Sequence, residues 1–231
     1  MLLFFADAHG NFEELLDIAG QYPQSSIEGI FLLGDQTPSR PLTEELASLG
    51  DALLHRTWFL LGNHDVENDL YLENHFCLWE QHLHSRVVTV GGLRIGGISG
   101  VFHEDVWLPP LLPRWRQRST FAAHLCPTAP AKEVSLPRAH WATLFPEDLP
   151  DPFAGQAVDI LITHEATGTH RRGFAALDQA AQHSGASLVL HGHLHEDYDA
   201  TLNKGARVYG LGKQQIFIFT AGMWDNLISR A

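Results

Sequence analysis

Five short, unbroken apolar runs place the tightest limit on how this chain can fold. They are "LLFFA" (2–6), "GIFLLG" (29–34), "TWFLLG" (57–62), "DILIT" (159–163) and "ASLVL" (186–190). Each has the length of a strand and none alternates apolar with polar, so both faces of each strand must be covered. Helix-period segments lie between them. "NFEELLDIAGQY" puts Phe12, Leu15, Leu16 and Ala19 on one face. "PLTEELASLGDALL" predicts a helix entered near Pro41, "ENDLYLENHFCLWEQHL" a third, and "GFAALDQAAQHS" a further one before the last apolar run. The pattern is that of an α/β chain with buried strands.

Two other signals are antiparallel. "RVVTV" and "LRIGGIS" flank Gly91-Gly92 and predict a hairpin. In the tail, "DYDATL", "ARVYGLG" and "QQIFIFTAG", with turns at "NKG" and "GKQ", predict an antiparallel meander. Residues 101–150 break the rhythm with prolines and with Trp107, Trp115 and Trp141. A linker would be more polar, so this stretch reads as an ordered insertion packed against a single domain spanning 1–231, of the kind that often carries function. Its basic residues Arg114, Arg116, Arg118, Lys132 and Arg138 match its acids Glu104, Asp105, Glu133, Glu147 and Asp148. The tryptophans could stack on a base, but packing the insertion onto the body is the simpler reading.

Charge and composition exclude several classes. With 15 Lys and Arg against 27 Asp and Glu, the formal charge is −12, a field that repels polyanions and argues against long nucleic acid as a partner. The opening apolar stretch has no basic lead and runs at once into Asp7, so it predicts a first strand and not a secretory signal. No run approaches the roughly eighteen residues of a membrane span, and a membrane is not expected as a partner. Cys77 and Cys126 form no CxxC pair, which predicts free thiols and fits a cytoplasmic location. Nothing in the sequence sets an oligomeric state.

The apolar runs share one oddity: each is followed by side chains that ligate metals. Asp7-Ala8-His9 follows the first, Asp35 the second and Asn63-His64-Asp65 the third. His164 follows the fourth, and His191-Gly192-His193-Leu194-His195 the fifth. Ligand sites in α/β sheets lie beyond the carboxyl ends of strands. Five such ends can meet on one rim, and a mixed oxygen and nitrogen set suits Mn, Fe, Zn or Ni. Asp7, His9, Asp35, Asn63, His164, His193 and His195 are too many for one tetrahedral zinc. They suit two metals sharing a carboxylate, with a metal-held water as nucleophile and the cations clamping an in-line displacement. A mononuclear zinc hydrolase is the alternative on the same residues.

Taken in order, "DAH", "GD", "GNHD", the strand-end His164 and "GHLH" resemble the calcineurin-like metallophosphoesterases over most of the chain. The resemblance implies a two-sheet β-sandwich flanked by helices, with the site at one end. It implies that Asp7, His9 and His195 hold one metal, that Asn63, His164 and His193 hold the other, and that Asp35 bridges them. His64 would stand over the substrate and protonate the leaving oxygen, with Asp65 orienting its ring. His191 falls outside the matched pair and reads as a buried bystander. Arg171 and Arg172 are candidate phosphate contacts. The second motif reads "GDQTPSR", without the second acid and the Arg-Gly of "GDxxDRG", which argues against protein phosphatases and diadenosine tetraphosphatases of this superfamily. "GLRIGGISGVF" is similar to a segment of RNA lariat debranching enzymes, although those usually carry Cys where Asp7 stands. The reading is a dinuclear metal phosphoesterase, Mn foremost, acting on diesters. A phosphomonoesterase of the same fold and a non-catalytic metal-binding scaffold are its alternatives.

Overall fold

The computed structural model describes residues 1–126, 135–149, 151–203 and 205–228, the last four of these by backbone alone. Lys132, Glu133 and the Lys204 of the "NKG" turn lie outside the described residues.

In chain order the strands are β1 (Leu2–Phe5), β2 (Gly29–Leu32), β3 (Thr57–Phe59), β4 (Arg86–Val90) and β5 (Leu93–Ile98). They continue with β6 (Ile160–Thr163), β7 (Leu188–His191), β8 (Tyr198–Thr201), β9 (Arg207–Gly210) and β10 (Ile216–Phe219). The helices are α1 (Glu13–Gly20), α2 (Leu42–Glu45), α3 (Asp51–Leu54), α4 (Asp69–Glu73), α5 (Arg118–Leu125), α6 (Ala175–Ser184) and α7 (Ala221–Ile228). Two mixed sheets result, a four-stranded one in the order β10-β1-β2-β3 and a six-stranded one in the order β4-β5-β6-β7-β9-β8.

The unbroken apolar runs are explained by layering. On β1, Leu2 and Phe4 face the other sheet, where they meet Ile160 and Ile162 of β6 and Leu188 and Leu190 of β7. Leu3 and Phe5 point the opposite way, into Leu15 and Ala19 of α1 and Leu42 and Leu53 of the next helical segment. On the far side, Leu161 and Val189 cover Leu177, Ala180 and Ala181 of α6. Each strand therefore buries both faces in a helix–sheet–sheet–helix stack, as the two-sheet sandwich expected from the motifs requires. No helix among the described residues is long and apolar enough to cross a membrane.

Three expectations fail in an instructive way. The helix expected over 41–54 is cut into short pieces, because Gly50 turns at φ +74° and restarts the chain as α3. The helix expected over 67–83 survives only as α4, followed by a 3-10 segment from Phe76 to Gln81 with a kink at Leu78. The tail is not a meander. β8 and β9 form a hairpin, but β9 runs parallel to β7, and β10 crosses to the other sheet to pair antiparallel with β1. Alternation signals a strand, yet it does not say which edge the strand will join.

The 101–150 stretch has a small core of its own, with Val106, Phe121 and Phe145 packed against Trp107 and Trp115. Phe102, Leu144 and Leu149 tie it to the outer face of the six-stranded sheet. Arg118 adds a two-pronged contact to Asp148, both N–O distances being 3.0 Å. Trp107 and Trp115 pack as expected while Trp141 stays exposed, and α5 is an element that the proline-rich sequence did not advertise.

Candidate metal centre

Parallel pairing places the strand ends together. Phe5 is in register with Leu32 and Leu32 with Phe59, while Thr163 is in register with His191. Each chain then leaves its strand on the same rim, within a few residues of a candidate ligand. The ligand atoms of Asp7, His9, Asp35 and His195 lie within 4.8 Å of one another, and so do those of Asp35, His164 and His193. Asp35 belongs to both groups.

The local backbone is unusual. Asp7, His9, Asp35, His193 and His195 all have positive φ, between 45° and 67°. Left-handed backbone costs a non-glycine residue of order 1–3 kcal/mol, and such strain collects at functional sites. Here it bends each chain sharply as it leaves the sheet and turns the side chain inward. Two glycines make room: a Cβ on Gly34 would stand 2.1 Å from His164 Nδ1, and one on Gly62 would stand 2.1 Å from Asp35 Oδ1. The glycines of "GD" and "GNHD" are there for close approach.

Hydrogen bonds fix the orientation of these groups. His64 N–H donates to Asp35 Oδ1 at 2.8 Å, which leaves Oδ2 facing His164 Nε2 at 3.4 Å. His164 Nδ1 donates to the Leu33 carbonyl at 2.7 Å, so its Nε2 is the nitrogen turned to the site. His193 N–H reaches both oxygens of Asp7, at 3.1 and 3.0 Å. His9 Nε2 and His195 Nε2 stand 3.1 Å apart. Three buried atoms at the centre have no hydrogen-bond partner: Asp35 Oδ2, Asn63 Oδ1 and His164 Nε2. Buried polar atoms left unpaired are costly, and here they belong to three of the expected ligands, as a cation donor set would require.

Burial dominates the electrostatics of this cluster. Burial pushes Asp7 up to about 7, against the opposing pull of His164. Burial opposes the charged forms of Asp35 and His164 too, but each offsets this for the other, so Asp35 is held low and His164 high. Burial lowers His9 to about 4 and His193 to about 3. Those imidazoles are neutral at pH 7 and keep the lone pair a metal requires.

Around this centre the expected partners are partly reassigned. Asp65 does not orient His64. It is fully buried and accepts N–H groups from Gly62 and Thr37, both at 2.8 Å, bracing the loop that carries Asn63. The acid on His64 is Glu67, whose Oε1 lies 2.6 Å from Nδ1. Arg172 is paired with Glu196, and Arg171 lies exposed beside it. His191 is buried, bonds Tyr198 Oη at 2.6 Å and belongs to neither ligand group. Glu165 was missed: it is buried, pushed up to about 7 by that burial, and lies 3.8 Å from His193 Nε2. Its position directly after His164 in "THEA" was the available signal.

The model of the calcineurin-like phosphoesterase family matches residues 1–197. An uncharacterized protein from Haemophilus influenzae is 31% identical over 204 residues, covering 86% of this chain and 84% of its own. Among solved structures, the protein TT1561 of Thermus thermophilus aligns over 92% of this chain and 89% of its own, with 17% identity and a TM-score of 0.53. A dimetal phosphatase from Danio rerio covers 92% of this chain and 87% of its own, at 12% identity and a TM-score of 0.48. Matched along most of its length, and folded so that five strand ends share one rim, the chain belongs to the calcineurin-like phosphoesterases and is a metal-dependent hydrolase of phosphoester bonds.

Proposed function

We propose that this hydrolase is a phosphodiesterase of one domain, using two divalent transition-metal ions, with manganese foremost and iron, zinc or nickel as substitutes. Asp7, His9 and His195 would hold one ion, Asn63, His164 and His193 the other, and Asp35 would bridge them. The observation that carries this reading is the sharing of Asp35 between two ligand groups, with Asp35 Oδ2, Asn63 Oδ1 and His164 Nε2 unpartnered between them. Bound ions of this kind neutralise phosphoryl charge and activate water.

The remaining work falls to side chains at the rim. His64 is 39% exposed and stands 4.0 Å from Asp35, placed to donate a proton to the leaving oxygen. Asp65 keeps the Asn63 loop in register. The preference for diesters rests on charge. Arg172 is committed to Glu196 and Arg138 to Asp69, so the cationic character near the site beyond the metals comes from Lys213, whose charge reaches His9 and His195, and from the exposed Arg171. A singly charged diester suits so few cations better than a doubly charged monoester. Arg171 and, if its pair opens, Arg172 remain the candidate phosphate contacts. Free Cys77 and Cys126 fit a cytoplasmic setting.

The test compares an aryl phosphodiester with its monoester on Mn²⁺-loaded protein. A higher kcat/KM is expected for the diester, with both activities lost on chelation. Preference for the monoester would overturn the choice of substrate class, and activity that survives complete metal removal would overturn the mechanism. Asp35→Ala should lose bound metal and turnover together. His64→Ala should keep its metal and lose about 10²–10⁴-fold in rate.

A further inference from the structure

A cavity of about 250 Å³ opens beside the metal-ligand rim. Asn63, Val66 and Glu67 line one side of it, and Val101, Arg138 and Ala139 from the 101–150 stretch line the other. We propose that this cavity seats the organic group carried on the leaving oxygen, and that it takes a compact, uncharged ring. The proposal rests on the phosphoesterase reading above and names the substrate class for that site.

Position comes first. Glu67 lines the cavity and also holds the ring of His64 through the 2.6 Å contact at Nδ1. Asn63 lines it too, one residue before His64. His64 itself turns Nε2 toward Asp35, at 4.0 Å, so an ester whose leaving oxygen meets that nitrogen has this space beside its substituent. Chemistry comes second. Val66 and Val101 are buried valines, and Ala142 adds a third apolar surface. The ionisable groups of the lining each have a partner: Glu67 has His64, Arg138 has Asp69 and the Val66 carbonyl, and His103 has Asp105 at 3.6 Å. No free cation among these lining residues awaits a second phosphate, and the Glu67 carboxylate disfavours one. Size comes third. The volume lies below the roughly 300–1,000 Å³ of sites for drug-sized ligands, which suits one ring.

Ala139 provides the test, because it is exposed on the cavity wall and a larger side chain there need not disturb the core. The probes are methylphosphonate, phenylphosphonate and 4-carboxyphenylphosphonate, titrated calorimetrically into Mn²⁺-loaded protein. In the native chain, phenylphosphonate should bind about tenfold more tightly than methylphosphonate, the scale expected for burying part of a ring. The carboxyphenyl probe should lose most of that gain. Ala139→Trp should abolish the phenyl preference and leave methylphosphonate within about twofold of the native value. Ala139→Leu should fall between.

A phenyl preference that survives Ala139→Trp, or a native protein with no such preference, would overturn the proposal. Turnover of an aryl phosphodiester, measured on the same sample, separates the two levels. If the ester is hydrolysed but the phosphonates do not discriminate, the cavity assignment alone is wrong. If no phosphoester is turned over and no phosphonate binds in a metal-dependent way, the reading of the site falls and this proposal falls with it.

Discussion

Single residues show both the reach and the limits of the sequence. The seven candidate ligands stood out because each follows an apolar run, and the parallel register carries six of them, all but Asn63, into the two groups. The left-handed backbone of five of them, Asp7, His9, Asp35, His193 and His195, was not legible, since aspartate and histidine do not announce positive φ. The partner of His64 was misread for a related reason. Asp65 is adjacent in sequence, but a 3-10 turn from His64 to Val66 sends it inward, and Glu67, one turn further on, comes round to the ring. Glu67→Ala is therefore expected to lower kcat by about tenfold with little change in KM, as the imidazole loses its orientation. Glu67→Gln keeps an acceptor oxygen at the same reach and should recover most of the rate. Equal losses in the two variants would show that the charge matters and not the placement.

At the level of elements, the buried strands were readable because continuous apolar sequence has one economical solution, a sheet covered twice. The helices between them were less so, because apolar period survives even where a glycine at φ +74° divides the helix. The 101–150 stretch was hardest, since its proline content hides α5 and its anchor is ionic. Burial alone would raise Asp148, but His84 and Arg118 outweigh it and hold the carboxyl below its ordinary value of 3.8. A carboxyl with a lowered folded pKa contributes stability that is present above the unfolded value and is lost as pH falls through the folded one. Asp148→Asn should therefore cost about 2 kcal/mol near neutral pH, lowering Tm by roughly 4–8 °C, with Arg118 still a third exposed and partly solvated. Melting curves for the two proteins should converge below pH 3.8.

The whole molecule gathers carboxyl groups around its centre: Asp7, Asp35 and Glu165 are all buried there, in a chain of formal charge −12. Divalent ions bound only by the folded state raise its stability by mass action, about 2.7 kcal/mol at a hundredfold excess over Kd. Chelation should thus lower Tm by roughly 5–10 °C, a change that a melting curve with and without Mn²⁺ would record. The arrangement of the four-stranded sheet has a consequence for biosynthesis. β1 lies between β2 and β10, with Phe5 paired to Ile216. On the ribosome, the first strand must wait for the last before its outer edge is closed. Until then that edge is open to pairing with other nascent chains, and closing so long a loop slows the final step. Completion of this sheet is thus expected late in folding, since it joins strands far apart in sequence.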